Sequence, residues 1–491
     1  MATTLRLDTA LYGSAVLLDR LLGLLLLPLL ARAIDRTDYG AWTQTAVAAS
    51  VLMPLVLFAF STTIVRSFSG SGGAVLRPRF FGRLGAVALG LFALCAVLLL
   101  AWRDSVAEVV YGVPAAQALI VPLLLLLAAD AGTEFAMAWL RSLGRMGLVA
   151  GALALRSALR YGAVLLLVGG GGGRPLVEWL TTFAVVQAAL ALAVLVGTWL
   201  LLRRDVQATP PSAAEPRLAE LLAFSAPLVL LALFTSVNAY VDRFLLVQVL
   251  GLDAVAVYAA AVSLCSLPSV FYSVLGFTLF PLLARHWNDQ RPDEAARLTT
   301  LALQVFLFLC LPVSLLIALA GPLLLPLLTT AEYRAAPAVF ALLSLSVTAF
   351  GLYQIMLYAL LLDGRSRQVL LLAMAAAAVN LILNLLLAPR LGATGAATAA
   401  AASNALMVVL AARLARRAMP WRFPWQRLWP ITWRAAVAAL PLGGWLLAAS
   451  APTSWLAFCA MLAVCTALYL GLDLVRAGSI TRTLIPRRAV A

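Results

Sequence analysis

Apolar residues in this chain run on in long stretches, and the polar positions gather in short clusters between them. A helix needs about 20 apolar residues to cross a hydrocarbon layer. Fourteen stretches of that kind follow one another, at 10–31, 41–65, 84–102, 118–140, 148–168, 176–202, 221–250, 254–284, 300–328, 335–362, 369–388, 394–414, 431–450 and 454–473. The stretch 300–328 holds Pro312, Pro322 and Pro326 and is expected to kink or break, because proline removes a helical donor and crowds the preceding turn. The pattern predicts an all-α polytopic membrane protein with 14 transmembrane helices.

Composition agrees and narrows the choice. With 64% hydrophobic and 11% charged residues and a mean hydropathy of +1.02, the chain cannot build a water-facing surface for its length. The same figures exclude a disordered chain, a collagen and a disulfide scaffold. The net charge of +15 comes from Arg alone, with no Lys. Sorted by loop, 25 of the 35 Arg fall on one side of the membrane, six on the other and four inside spans. That bias predicts an even number of spans with both termini cytoplasmic. No Arg stripe with interleaved aromatics lies on a polar helix, so nucleic acid is not an expected partner. The five cysteines, Cys95, Cys265, Cys310, Cys459 and Cys465, sit in apolar runs without metal spacing and read as small core hydrophobes. Ala31-Arg32-Ala33 resembles a signal-cleavage site, but Asp19 and Arg20 interrupt the apolar stretch ahead of it, so the first span is expected to be kept.

The chain also repeats. A polar linker at 203–217, with Pro210, Pro211 and Pro216, follows the sixth span, and the pattern then restarts. At an offset of 220, Gly144-Arg145 falls on Gly364-Arg365; at 216, the loop 35–42 falls on 251–258. Six spans per copy put both copies in the membrane the same way round, which predicts two parallel six-helix lobes with substrate bound between them. The organisation read from this is a first lobe at 1–202, the linker at 203–217, a second lobe at 218–417, and an interfacial segment with two extra helices at 418–491. In that segment Trp421, Trp425, Trp429 and Trp433 recur every four residues among Arg, an interfacial anchor, with Pro424 and Pro430 expected to break any long helix.

Three runs carry a resemblance: LLGLLLLPLLARAIDRTDYGAW, FSAPLVLLALFTSVNAYVDRFLLVQVLGLDAVAVYAAA and LLLDGRSRQVLLLAMAAAAVNLILNLLLAPRLGATGAATAAAASNAL. Over about 11–417 the chain resembles the polysaccharide-export branch of the multidrug, oligosaccharidyl-lipid and polysaccharide (MOP) flippase superfamily. The resemblance implies a bacterial inner-membrane transporter with a central cavity and alternating access, flipping undecaprenyl-pyrophosphate-linked sugar units outward. Expected partners are that lipid-linked oligosaccharide, membrane lipids and the polysaccharide polymerase or glycosyltransferase machinery, around a monomer. A span count of twelve plus two suits the lipid II flippases equally, and the multidrug antiporters less well.

Ionisable groups inside a membrane are costly and usually face a cavity or one another. Asp130 and Glu134 share a face of the fourth span, and Arg156 and Arg160 a face of the fifth. Measured at 1.5 Å per residue from the turn near Gly144, they lie about 21, 15, 18 and 24 Å deep, level enough for an ion-pair ladder between adjacent helices. Asp19 and Arg20 reach mid-membrane on the first span; Asp242 and Arg243 lie near the outer rim. Four Arg against four acids allow a neutral, self-satisfied set. The alternative is that Arg20, Arg156 and Arg160 line a cavity and grip a pyrophosphate, which suits planar guanidinium forks. At the 220 offset Glu134 falls on Gln354 and Arg160 on Asn380, so both copies keep a polar residue there, and these two join the cavity candidates. Asp130 falls on Phe350 and Arg156 on Ala376. Asp130, Glu134 and Asp19 are candidates for coupling to H+ or Na+; no cofactor or metal is expected.

Rival classes fare worse. A membrane glycosyl or acyl transferase needs a base or nucleophile in a substantial loop, and no such motif or loop occurs. The one histidine, His286, reads as a solvated loop residue, and the run at 169–173 as a flexible hairpin without the Lys-Ser/Thr ending of a phosphate cradle. A channel would need rings of polar residues, and none is evident.

Overall fold

A computed structural model describes residues 2–68, 77–170, 173–205, 217–448 and 455–475. Most of the 203–217 linker, Gly171-Gly172 of the glycine run, and the C-terminal Arg476, Arg482, Arg487 and Arg488 lie outside the described residues. The described chain is helical, without a strand. In order the helices are α1 (Ala2–Ala33), α2 (Arg36–Leu57), α3 (Phe60–Phe68), α4 (Arg77–Ala101), α5 (Arg103–Tyr111), α6 (Ile120–Ser142), α7 (Met146–Gly169) and α8 (Leu176–Asp205). They continue with α9 (Leu218–Cys265), α10 (Ser269–Asn288), α11 (Pro292–Leu328), α12 (Pro337–Leu362), α13 (Ser366–Leu391), α14 (Ala393–Ala418), α15 (Trp425–Ala448) and α16 (Trp455–Leu474). Without water in the hydrocarbon, helices satisfy every backbone group within the segment.

Among the described residues twelve helices are long and apolar enough to cross a membrane. The expected stretches 254–284 and 431–450 are not among them as separate spans. The first is divided: its start continues α9 beyond a kink at Gly251 (φ 79°), and its end is α10, which carries Arg285 and His286 in its last turn. His286 is therefore a helical, half-buried residue rather than a loop residue. The second is α15, helical through Pro430 and Pro441, so Pro430 does not break it. Likewise α11 is one helix of 37 residues through Pro312, Pro322 and Pro326. α10, α12 and α15 all pack on α11, and a membrane helix can run through proline where it is packed against neighbours.

The chain forms two compact units, Met1–Ala259 and Ala260–Ala491. The division falls within α9, well beyond the 203–217 linker. The kinked stretch of α9 belongs with the first unit because its side chains are bound there: Ser225 Oγ lies 2.6 Å from Thr63 Oγ1, and Gln248 Nε2 donates to the carbonyls of Glu108 and Val109 at 2.7 and 3.1 Å. In the first unit α6 packs on α8 and α7 on α1. In the second, α12 packs on α11 and α14, and α15 and α16 lie against each other beside α11. Cys265, Cys310 and Cys465 are buried as expected; Cys459 is exposed and Cys95 half-buried.

The duplication is visible at one turn. Gly144 (φ 68°) and Gly364 (φ 72°) end α6 and α12 in the left-handed region that glycine adopts without strain. Arg145 N–H then bonds Leu140 O, and Arg365 N–H bonds Leu360 O, both at 3.0 Å, closing the same helix-ending motif at repeat-related positions.

Candidate functional site

The first unit gathers its charges through helix packing. Ala15 of α1 lies among Ala150 and Leu153 of α7, small residues that let two backbones approach within a membrane. One turn further along each helix, Ser157 Oγ donates to Asp19 Oδ1 at 2.5 Å, so α1 and α7 run side by side in the same direction. Arg156 extends to within 4.0 Å of the same Asp19 oxygen. A further turn along α7, Arg160 crosses to Asp130 of α6 at 2.6 Å.

The level Asp130 and Arg160 therefore meet as the depth reading implies. The second rung does not form: Glu134 accepts from Arg141 of its own helix at 2.5 Å, and Arg156 turns to α1. Arg141 lies two turns from Glu134, within reach of a long side chain lying along the helix, whereas Arg156 is the Arg of α7 that lies near Asp19 of α1. The charged side chains remain partly open, at 17% exposure for Arg156, 28% for Asp19, 24% for Arg160 and 21% for Asp130. The Nε atoms of Arg156 and Arg160 are buried without an acceptor. Arg20 is exposed and makes no ion pair among the described residues.

With Arg141 included, the set on α1, α6 and α7 holds four Arg (Arg20, Arg141, Arg156, Arg160) and three acids (Asp19, Asp130, Glu134), a net excess of one positive charge. The neutral set of four Arg and four acids includes Arg243 and Asp242, both on α9; without them three Arg face three acids, and the excess comes from Arg141 at the end of α6. On α9 Asp242 is buried, accepting from Tyr258 Oη at 2.6 Å and from the Arg243 N–H at 2.8 Å. Arg243 has its guanidinium carbon 5.6 Å from the Tyr240 ring centre. Gln354 and Asn380 belong to the second unit. Gln354 is half-buried on α12. Asn380 of α13 is fully buried, and its Oδ1 accepts from Asn384 Nδ2 at 2.7 Å. Among the described residues no group of three or more His, Cys, Asp or Glu is arranged to hold a metal ion.

Three participants escaped the sequence reading. Ser157 sits in the same polar run as Arg156 and Arg160, and Asn384 lies one turn from Asn380, so helical spacing was the available signal for both. The third is a clasp on the repeated loop. Thr37 Oγ1 donates to Asp253 Oδ1 at 2.5 Å, and Arg36 reaches the other oxygen of Asp253 at 3.1 Å. Thr37 and Asp253 are equivalent at the 216 offset, so one repeat position binds its own counterpart. Gly40 lies so close to the Leu252 carbonyl that a Cβ would overlap it. Beside the clasp, at the end of α5, burial pushes the Tyr111 phenol well above its ordinary pKa; its oxygen lies 2.9 Å from Thr45 Oγ1.

Residues 5–287, more than half of the chain, match the polysaccharide biosynthesis protein family. No match was found among curated proteins. Among solved structures, a lipid II flippase, MurJ, in an inward closed conformation is similar over 95% of this chain and all of its own, with a TM-score of 0.75 and 13% identity. An inward-facing multidrug resistance transporter of the MOP superfamily is similar over 82% of this chain and 94% of its own, at a TM-score of 0.58 and 15% identity. A MOP superfamily transporter from Pyrococcus furiosus, described as having a binding pocket of reverse polarity, gives 0.59 at 14% identity over 84% of this chain and 95% of its own. The chain belongs to the polysaccharide biosynthesis protein family and has the fold seen in the MurJ flippase and in MOP-superfamily transporters.

Proposed function

We propose that this protein moves an undecaprenyl-pyrophosphate-linked oligosaccharide, the repeat unit of a polysaccharide, from the cytoplasmic to the outer leaflet of a bacterial inner membrane by alternating access. In this reading the chain crosses fourteen times with both termini cytoplasmic, which the one-sided distribution of Arg supports. The observation that carries the proposal is the uncompensated cation on α1, α6 and α7. Arg20 stands outside every ion pair among the described residues, and Arg156 and Arg160 keep unused Nε donors. A pyrophosphate supplies the missing negative charge and the acceptors together, and charge-assisted bonds to guanidinium forks are the strong kind. Gln354, half-buried on α12, is proposed to meet the neutral sugar, while Asn380 is fully buried and bound to Asn384.

The test is reconstitution into vesicles with lipid-linked oligosaccharides, following movement between leaflets. Wild-type protein is expected to transfer the cargo, and Arg156→Ala and Arg160→Ala to abolish transfer while still inserting. Wild-type rates in both variants would remove the cargo role. A second reading, transfer of a lipid II-type precursor, is favoured by the fuller overlap with MurJ. Running lipid II and cationic drugs beside the oligosaccharides separates the three cargo classes, since transfer of drugs alone selects the multidrug reading. Coupling to H+ or Na+ through Asp130, Glu134 or Asp19 accompanies the proposal, and transfer unchanged after both gradients are collapsed would eliminate it.

A further inference from the structure

A cavity of about 350 Å³ lies between the first turn of α13 and the last turns of α14, lined by Gln368, Arg413 and Arg417 and by the apolar Leu371, Leu372 and Leu410. Arg413 and Arg417 are four apart on one helix face, where like charges repel. Both are exposed, neither makes an ion pair among the described residues, and no acid lines the cavity. Their neighbours are differently disposed: Arg365 pairs with Asp363, and Arg416 lies over the Trp421 ring at 5.5 Å. On the opposite wall Gln368 Oε1 is buried without a donor.

Positive side chains at a helix C-terminus and a membrane surface are common, and the helix dipole and anionic lipids account for their sign. Neither accounts for a hollow beneath them, nor for a buried acceptor beside them. Taken together the lining asks for three things in one ligand: an anion between two guanidiniums, a hydroxyl that donates to Gln368, and a hydrocarbon chain along leucines. Basic pockets between transmembrane helices bind phospholipid headgroups in this way.

We propose that this cavity binds one anionic glycerophospholipid of the phosphatidylglycerol type. Its phosphate bridges Arg413 and Arg417, a headgroup hydroxyl donates to Gln368 Oε1, and an acyl chain follows Leu371, Leu372 and Leu410. The site is separate from the charged set on α1, α6 and α7, so it stands whether or not that set binds cargo.

Native mass spectrometry of the purified full chain tests it, with graded delipidation and with phosphatidylglycerol, phosphatidic acid and phosphatidylcholine of matched acyl chains. Wild-type protein is expected to retain one phosphatidylglycerol under conditions that strip phosphatidylcholine. The pair R413Q and R417Q, at exposed positions, is expected to lower the retained fraction at least about tenfold, since each contact to a charged group contributes a factor of roughly ten or more. R367Q removes an exposed Arg from the first turn of α13 that does not line the cavity, and should leave retention unchanged. Gln368→Leu should bring phosphatidylglycerol down to the level of phosphatidic acid, and it carries the test if the double variant does not fold. Equal retention by wild type and the double variant, an equal loss in R367Q, or equal binding of phosphatidylcholine overturns the proposal.

Discussion

The positions paired by the repeat share a helix-ending turn at Gly144 and Gly364 and differ in what their units keep inside the membrane. In the first unit the embedded polar groups include an ionic set, Asp19, Asp130 and Glu134 bound to Ser157, Arg156, Arg160 and Arg141 across three helices, beside neutral pairs such as Thr63 with Ser225. At the matching place in the second unit Arg160 becomes Asn380, fully buried and bound to Asn384. The rest of that interior is neutral too: Ser314 and Thr348 share a hydrogen bond at 3.0 Å, and Asn404 donates to Ser346 at 2.8 Å. Its one buried ion pair among the described residues, Arg434 with Asp473, lies outside the repeat and ties α15 to α16. A duplicated scaffold has thus separated two tasks. One copy holds partly open charges, which in the proposed function take up an anion, and the other holds closed, neutral bonds.

That contrast is open to attack at four points. The largest effect should come from Arg160→Ala and Arg156→Ala, which are expected to abolish cargo transfer in vesicles with normal abundance and helicity. Asn380→Ala should instead leave measurable transfer, and equal losses from both copies would break the comparison. Next, Arg434→Ala removes the guanidinium that pairs with Asp473, a carboxylate buried at 2% side-chain exposure. It should cost about 3–5 kcal/mol in detergent unfolding experiments, most of it regained when Asp473→Leu is added to Arg434→Met. Third, Asn384→Ala removes a hydrogen bond inside the membrane and should cost about 1 kcal/mol, with a modest fall in transfer. The smallest change belongs to Asp253→Ala. Its side chain is 48% exposed, so the bonds to Thr37 and Arg36 should contribute less than about 1 kcal/mol to stability. Gly40→Leu tests the same clasp sterically and should be worse tolerated than Asp253→Ala, because the obstacle is the Leu252 backbone.

Much of this was legible in residue order. Helix positions followed from apolar length, because a bilayer admits few alternatives, and Gly144 and Gly364 marked the repeat because a left-handed turn selects glycine. That the acids of the fourth span lie level with the Arg of the fifth followed from counting residues along straight helices from a shared turn; that Asp130 meets Arg160 is read from the structure. Where reading failed, distant packing had intervened. Pro312, Pro322 and Pro326 suggested a kinked or broken helix, and α11 is not broken but runs as one helix among its neighbours. Glu134 suggested a rung to Arg156, yet Arg141 was nearer and Asp19 drew Arg156 away.

The sequence by itself determined the membrane, the helices, the duplication and the presence of buried charge, because each is a matter of composition or of spacing along one chain. Only the tertiary structure decided which charges meet, that the set on α1, α6 and α7 carries one positive charge in excess, and that Arg413 and Arg417 overlook a cavity. The reason is that an ion pair and a hollow both depend on which faces of separate helices are turned toward each other, and small residues such as Ala15 and Ala150 set that through close packing.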